Sequence, residues 1–308
     1  MTIRELGYRR WPGTLKTGCF RWYLIASSGI RLMWRNMWLR RLLVLAWFPA
    51  VYLGVGFFLY EQSTSNSPGA KRALVFALQA YEVAGPLIDE FKQETDVSRH
   101  NVWAILLLIF LRYLQGGLMV LVVGMIAPSL ITQDLRTRAY LLYFSHPLTS
   151  WEYLLGKASV VFGYLAMITL LPGTVLYILG VMLSPDLSVI RDTWDLPFRV
   201  MAASIVMMIP TTAIALMFSS LTVERRYAGF GWFSLWIVGW VANRTLTVAE
   251  TPGAWWWVSL NHTIGKAQSW VFGQDDFSSV APAFILLTAY TLFALTLARA
   301  RILSPLRS

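Results

Sequence analysis

The sequence predicts an all-α polytopic membrane protein, and three observations carry that prediction. Apolar residues make up 56% of the 308 positions and charged residues 14%, where soluble domains hold about 45–50% and about 25%; the mean hydropathy is +0.55. Six stretches come close to the roughly 20 mostly apolar residues that a membrane helix needs: Leu42–Tyr60, Arg112–Ile131, Ala158–Leu183, Pro197–Leu221, Gly229–Leu246 and Ala281–Ala300. The 15 Trp, 13 Tyr and 17 Phe are residue types that gather at membrane–water boundaries.

The first stretch follows a basic segment. Nine Lys and Arg residues, from Arg4 to Arg41, precede it, opposed only by Glu5. Trp22, Trp34 and Trp38 lie among them, the pattern of an amphipathic helix in the interfacial plane facing anionic lipid. The net charge of +10 is therefore a membrane-surface feature, and no nucleic acid is expected as a partner. The second stretch is too long for its task. A helix from Trp103 to Ile131 would measure about 43 Å against a hydrocarbon core of about 30 Å. Counting back from Thr132 places Arg112 at the outer boundary and leaves residues 103–111 projecting or packed on other protein.

Loop charge sets the orientation. With the N-terminus inside, seventeen basic and four acidic residues face the cytoplasm, and six basic and twelve acidic residues lie outside. Six transmembrane helices with both termini cytoplasmic follow. The chain reads as a single transmembrane domain over 1–308. Its parts are a cytoplasmic interfacial segment (1–41), a first external loop (61–102), a cytoplasmic loop (132–157) and an external re-entrant or amphipathic helical segment between spans five and six (247–280). In the first loop Ala73, Leu74, Ala77, Leu78 and Tyr81 have helical spacing. In the last segment Trp255-Trp256-Trp257 suits an aromatic anchor at headgroup level.

Catalytic patterns are missing. Cys19 is the single cysteine, and His100, His146 and His262 are scattered, which excludes a disulfide framework or cysteine metal site. Gly156-Lys157 and Gly265-Lys266 are each followed by Ala, so neither completes a phosphate-binding P-loop. No carboxylate falls within a span to couple protons or sodium. Arg112 is the strongest intramembrane charge, able to snorkel from its boundary position. Pro49, Pro128, Pro172 and Pro210 fall within spans. Gly54, Gly56, Gly231 and Gly239 permit close helix approach in lipid and are candidates for packing at a dimer axis.

The informative stretch is the cytoplasmic loop between spans two and three. Leu135, Ala139, Leu142 and Tyr143 share one face of a short amphipathic helix. Pro147 ends it, and Ser150 offers an N-cap oxygen to the next helix. Asp134-x-Arg136 followed by Pro147-Leu-Thr-Ser-Trp-Glu-Tyr-Leu-Leu-Gly-Lys157 resembles the first cytoplasmic loop of ABC-2 type transporter permeases, the type V-like membrane subunits of ATP-binding cassette exporters. Where that family usually has Gly-Thr/Ser-Leu, this chain has Arg138-Ala139-Tyr140.

The resemblance implies a transport subunit and not an enzyme. ATP and Mg would belong to a separate ATP-binding cassette subunit, with no cofactor in this chain. The loop helix would be the coupling helix, touching the ATPase through Asp134, Arg136, Arg138, Ala139, Leu142, Tyr143 and Glu152. A second permease copy, identical or homologous, would complete the path for a lipid-like, glycan or drug substrate. The setting would be the plasma membrane, the inner membrane of a bacterium. An alternative within the family is a subunit that transmits force to an extracellular partner through the 61–102 loop without moving substrate. An intramembrane enzyme would need convergent polar residues at one depth, which the sequence does not display.

Overall fold

The computed structural model describes residues 21–64, 68–93, 98–139, 148–184, 186, 188–249 and 256–303. Among them every regular element is a helix. In chain order these are α1 (Arg21–Trp34), α2 (Met37–Leu45), α3 (Phe48–Thr64), α4 (Pro68–Leu78), α5 (Gly85–Lys92), α6 (Arg99–Ile109), α7 (Gly116–Leu130) and α8 (Thr132–Arg136). After them come α9 (Ser150–Ile168), α10 (Leu170–Leu183), α11 (Val189–Asp192), α12 (Leu196–Leu221), α13 (Arg225–Ala249), α14 (Leu260–Val271) and α15 (Phe277–Leu303).

Five helical stretches among the described residues are long and apolar enough to cross a membrane: Met37–Ser63, Arg99–Arg136, Ser150–Leu183, Leu196–Leu221 and Phe277–Leu303. The expected span Gly229–Leu246 is helix too, within the 25 residues of α13. It is not among the five, because Arg225, Arg226, Asn243 and Arg244 dilute its apolar run.

Each break in the long helices has a local cause. Pro49 lies in the first turn of α3 and Pro172 in the first turn of α10; a proline there offers no N–H to the preceding turn. The chain accordingly changes helix at Ala46–Trp47 and at Thr169. The released groups find partners, as buried backbone must in lipid. Gln115 donates through Nε2 to the Ala46 carbonyl at 2.8 Å. Between α6 and α7 a π-helical turn, Phe110–Gln115, inserts into the ladder.

α12 is the hub. It packs against α7, α9, α10, α13, α14 and α15, and its buried residues run from Leu196 to Ser220. Two apolar cores share it. One gathers Met119, Val122 and Ile126 of α7 with Tyr164, Leu165, Met207, Trp232 and Ala294. The other gathers Phe57, Leu74, Leu87 and Phe91 around the unbroken buried run 102–111, with Val200 and Ala203. Residues 102–111, expected to project or to pack on other protein, thus pack on this chain's own helices α3, α4 and α5. The two cores meet at the π-turn.

α1 is a helix from Arg21, and its apolar face covers α9. A Cβ on Gly156 would stand 2.7 Å from Ile25 Cβ, and one on Gly29 would stand 2.6 Å from Val160 Cγ2. Higher up, Tyr164 Oη donates to Ile30 O at 2.9 Å and stacks on Trp34. The order of contacts runs the same way along both helices. α1 therefore packs lengthwise along α9 and leaves Tyr23, Leu24 and Leu32 exposed on its other side.

A polar clamp closes the end of the molecule where α6 and α12 begin. Arg199 Nε donates to Asp195 Oδ2 at 2.6 Å, and His100 Nε2 lies 3.0 Å from Asp195 Oδ1. Arg199 Nη1 also donates to Val271 O at 2.9 Å, and Gln274 Nε2 donates to Asn101 Oδ1 at 2.9 Å. α6, α12 and the end of α14 are joined at one point. Burial alone would raise the Asp195 pKa; hydrogen bonds from Arg199 and His100, and then their charges, outweigh it and hold the carboxyl below the usual carboxylate value. A carboxylate depressed in this way stabilises the fold above its unfolded pKa of about 3.9, and the contribution disappears as pH falls through the folded value. Thermal unfolding in detergent should therefore find Asp195→Asn less stable than wild type at neutral pH. The gap should close between about pH 5 and pH 3; a gap that widens on acidification would contradict the clamp.

Candidate functional site

The loop motif gathers at the start of α9, and each of its residue types has a structural task. Thr149 caps α9: its Oγ1 accepts from Glu152 N at 3.2 Å, while Glu152 Oε2 accepts from Thr149 N at 2.8 Å. This reciprocal box needs Thr-x-x-Glu spacing, so the cap is Thr149, one position earlier than the expected Ser150, which is the first helical residue. Tyr153 and Lys157, one turn apart on α9, both reach back to Asp134. Tyr153 Oη donates to Asp134 Oδ2 at 2.7 Å, and Lys157 Nζ pairs with the same oxygen at 2.6 Å. The side chains of Lys157 and Asp134 are only 12% and 13% exposed, so this is a sheltered ion pair and not a loose surface contact. Gly156, between them in the motif, leaves room for Ile25 and the Trp22 carbonyl. Acid, tyrosine, glycine and lysine are one packed unit.

α8 is built to stop. Its first backbone N–H groups are met from outside: Ser219 Oγ accepts from Ile131 N at 3.0 Å and Thr132 N at 3.4 Å. Its end carries a Schellman pattern, with Ala139 N bonded to Asp134 O at 3.0 Å and Arg138 N to Leu135 O at 3.4 Å. That pattern places Arg138 at φ +55°, a left-handed conformation favoured by glycine. The helix expected from Asp134 through Tyr143 therefore does not run through, because the chain reverses at Arg138. Leu142 and Tyr143 lie outside the described residues.

The candidate contact residues divide accordingly. Arg136 and Arg138 are exposed, Ala139 is half-buried, and Glu152 is half-buried within its capping box. Asp134 is engaged by this chain's own Tyr153 and Lys157. Arg299 of α15 lies over the Trp151 ring at 5.0 Å and donates to Ser150 Oγ at 3.4 Å, adding a third cation to the same face. Beside the ion pair, between α1, α7 and α9, is a cavity of about 490 Å³ that Ser28, Gly29, Ser129 and Gln133 help to line.

The four candidate dimer glycines all face their own chain. Cβ atoms there would meet Leu179 from Gly54 at 4.0 Å, Leu106 from Gly56 at 3.3 Å, Phe218 from Gly231 at 2.8 Å and the Val258 carbonyl from Gly239 at 3.4 Å. The close approach they permit is spent inside the chain. What α3 and α13 present outward is Val51, Val55 and Phe58, and Phe230, Ile237, Val238 and Trp240.

Sequence reading missed the Asp134–Lys157 pairing and the His100–Asp195–Arg199 clamp. The i, i+4 spacing of Tyr153 with Lys157 and of Asp195 with Arg199 was the only local trace of either. Their partners lie 19 and 95 residues away, beyond any periodicity.

An apolar multi-helix body with five stretches long enough to cross a membrane defines a polytopic membrane protein. The chain matches the family model described as ABC-2 family transporter protein over residues 32–249, and it belongs to that family. Members are transport components and not themselves catalytic, and they normally work with an ATPase subunit. No curated protein matches the chain.

Arg138 holds a left-handed position that glycine adopts at less cost. Replacing it by Gly should raise stability by about 1 kcal/mol, since a left-handed L-residue costs roughly that much or more. A higher melting temperature of Arg138→Gly in detergent would confirm the reversal. An unchanged or lower one would mean that the helix runs through.

Proposed function

We propose that this chain is the membrane-spanning permease subunit of an ATP-driven ABC-2 exporter that moves a lipid-like, glycan or drug substrate. In this reading six helices cross the plasma membrane, the inner membrane in a bacterium, with both termini in the cytoplasm. α13 is the fifth crossing, and its weaker apolarity suits a helix that spends one face against a second permease copy. ATP and Mg are held by a separate cassette subunit.

The observation that carries the reading is the clamped elbow. Lys157 and Tyr153 tie α8 to the base of α9, and α8 continues from α7 through Ile131. A push on the elbow is therefore delivered to two spans together, with little slack to absorb it. Arg136 and Arg138 stand exposed beside it, available to acidic groups on an ATPase. Leu142 and Tyr143 supply the apolar part of the anchor. A dimer would use the exposed apolar faces of α3 and α13, the first and fifth crossings, while their glycines serve packing within each copy.

The force-transmitting alternative draws on one observation. The described residues of the 61–102 segment are largely helical. α4 packs on α3, and Leu74, Leu78, Leu87, Ile88 and Phe91 are buried in one core with residues 102–111, which suits a firm external lobe. Deleting it would uncover Trp103 and its neighbours, so surface substitutions on the lobe, such as at the exposed Phe76, separate the two readings better.

Replacing Leu142 and Tyr143 together by Ala should weaken co-purification of the ATPase by roughly thirtyfold in affinity, the scale of one interfacial hot spot. The thermal stability of the permease should stay unchanged. Lost stability with retained association would make the elbow structural only, and robust ATP hydrolysis by the isolated chain would refute the division of labour.

A further inference from the structure

Arg112 stands on the π-turn where the two apolar cores meet, and no carboxylate lies within ion-pair distance of it among the described residues. Its guanidinium lies directly on the backbone of α14. A Cβ on Gly265 would come within 2.6 Å of Arg112 Nε and 3.0 Å of Cζ. One hydrogen bond, from Nη1 to Ser269 Oγ at 3.3 Å, and the Tyr113 ring, 5.3 Å from Cζ, are its contacts. A half-buried cation with one neutral acceptor is an uncompensated charge.

Its neighbours are uncompensated as well. Tyr113 Oη and His262 Nδ1 are buried and have no hydrogen-bond partner. Burial, and then the charge of Arg112, hold the His262 pKa below its usual value; Arg244 adds to this and Glu82 opposes it. Positive charge therefore prevails here. Buried polar groups left open in a native structure call for an explanation such as a bound molecule, and a π-turn inside a helix frequently marks a functional position.

An apolar slot adjoins the cluster. Leu53, Gly56, Leu59, Leu74, Leu78 and Leu106 line a cavity of about 130 Å³ between α3, α4 and α6, with Tyr52 and Tyr81 at its edge. The Tyr81 ring lies 5.2 Å from that of Tyr113, on which Arg112 rests. The Tyr81–Tyr113 ring contact links the lining of the slot to the arginine.

We propose that Arg112, with Tyr113 and His262, receives the phosphate or carboxylate headgroup of an anionic amphiphile whose tail enters the slot between α3, α4 and α6. This deepens the export reading by naming a class of cargo. The binding belongs to this chain alone and does not depend on an ATPase.

The test is binding to the purified chain in neutral detergent, followed by thermal shift and by its tryptophan fluorescence. The probes are dioctanoyl phosphatidylglycerol, the phosphatidylcholine of the same chain length, and inorganic phosphate. Wild type should bind the anionic lipid well above the zwitterionic one. Arg112→Gln should lose at least about tenfold in affinity, as expected for a charge-assisted hydrogen bond. Arg112→Lys should recover part of it, and Arg191→Gln, an exposed arginine elsewhere, should change nothing. If Arg112→Gln fails to fold, Gly265→Ala decides, because its methyl displaces the guanidinium without removing the charge and should weaken binding likewise. Equal binding of both lipids, or unchanged affinity in Arg112→Gln or Gly265→Ala, would overturn the site. A full response to inorganic phosphate alone would overturn the amphiphile. Loss of the ATPase from the complex with lipid binding intact would count against the export reading and leave the site standing.

Discussion

In hydrocarbon a backbone polar group without a partner costs several kcal/mol, and this chain interrupts its helices often. Side chains from other helices repair the interruptions. Gln115 reaches the Ala46 carbonyl, Ser219 caps the start of α8, and Arg301 donates to Leu221 O at 3.2 Å. Each repair crosses between helices, so satisfying the backbone and fixing the tertiary arrangement are the same event. The arrangement of the bundle around α12 depends on it.

Two polar clamps then hold the bundle at its ends. One joins α6, α12 and α14 through Asp195, and the other joins α8 to α9 through Asp134. Both put a carboxylate between a cation and a second donor, which leaves little unsatisfied charge in a sheltered place. α12 connects the two ends: Asp195 and Arg199 at its start belong to one clamp, and Ser219 near its end accepts from Ile131 N at the start of α8.

Between the clamps the cores do not merge. The level of Arg112 and Gln115 is polar, and α14 contributes His262, Gln268 and Ser269 to it. Gly265 is what permits this, since the arginine fits only where a side chain is missing. α14 is therefore neither a free amphipathic segment nor an ordinary surface anchor. It is a short helix packed into the body, burying Leu260, Ile264 and Ala267.

Composition and periodicity by themselves determined the all-helical membrane class, the position of the apolar stretches and the loop that carries the family's motif. Those properties are local: a run of apolar residues, a proline, or an i, i+4 spacing acts on its own neighbourhood. The tertiary structure alone decided where the glycines point, since a missing Cβ has no meaning until a neighbour occupies the space. It decided that Asp134 pairs with Lys157 and Asp195 with His100, because such pairings join residues that sequence distance separates. It moved the cap from Ser150 to Thr149, where the glutamate sits at the right spacing, and it broke the expected elbow helix at Arg138. The role of Arg112 was least legible of all, because the charge is written in the sequence and the absence of a counter-charge is written only in the packing.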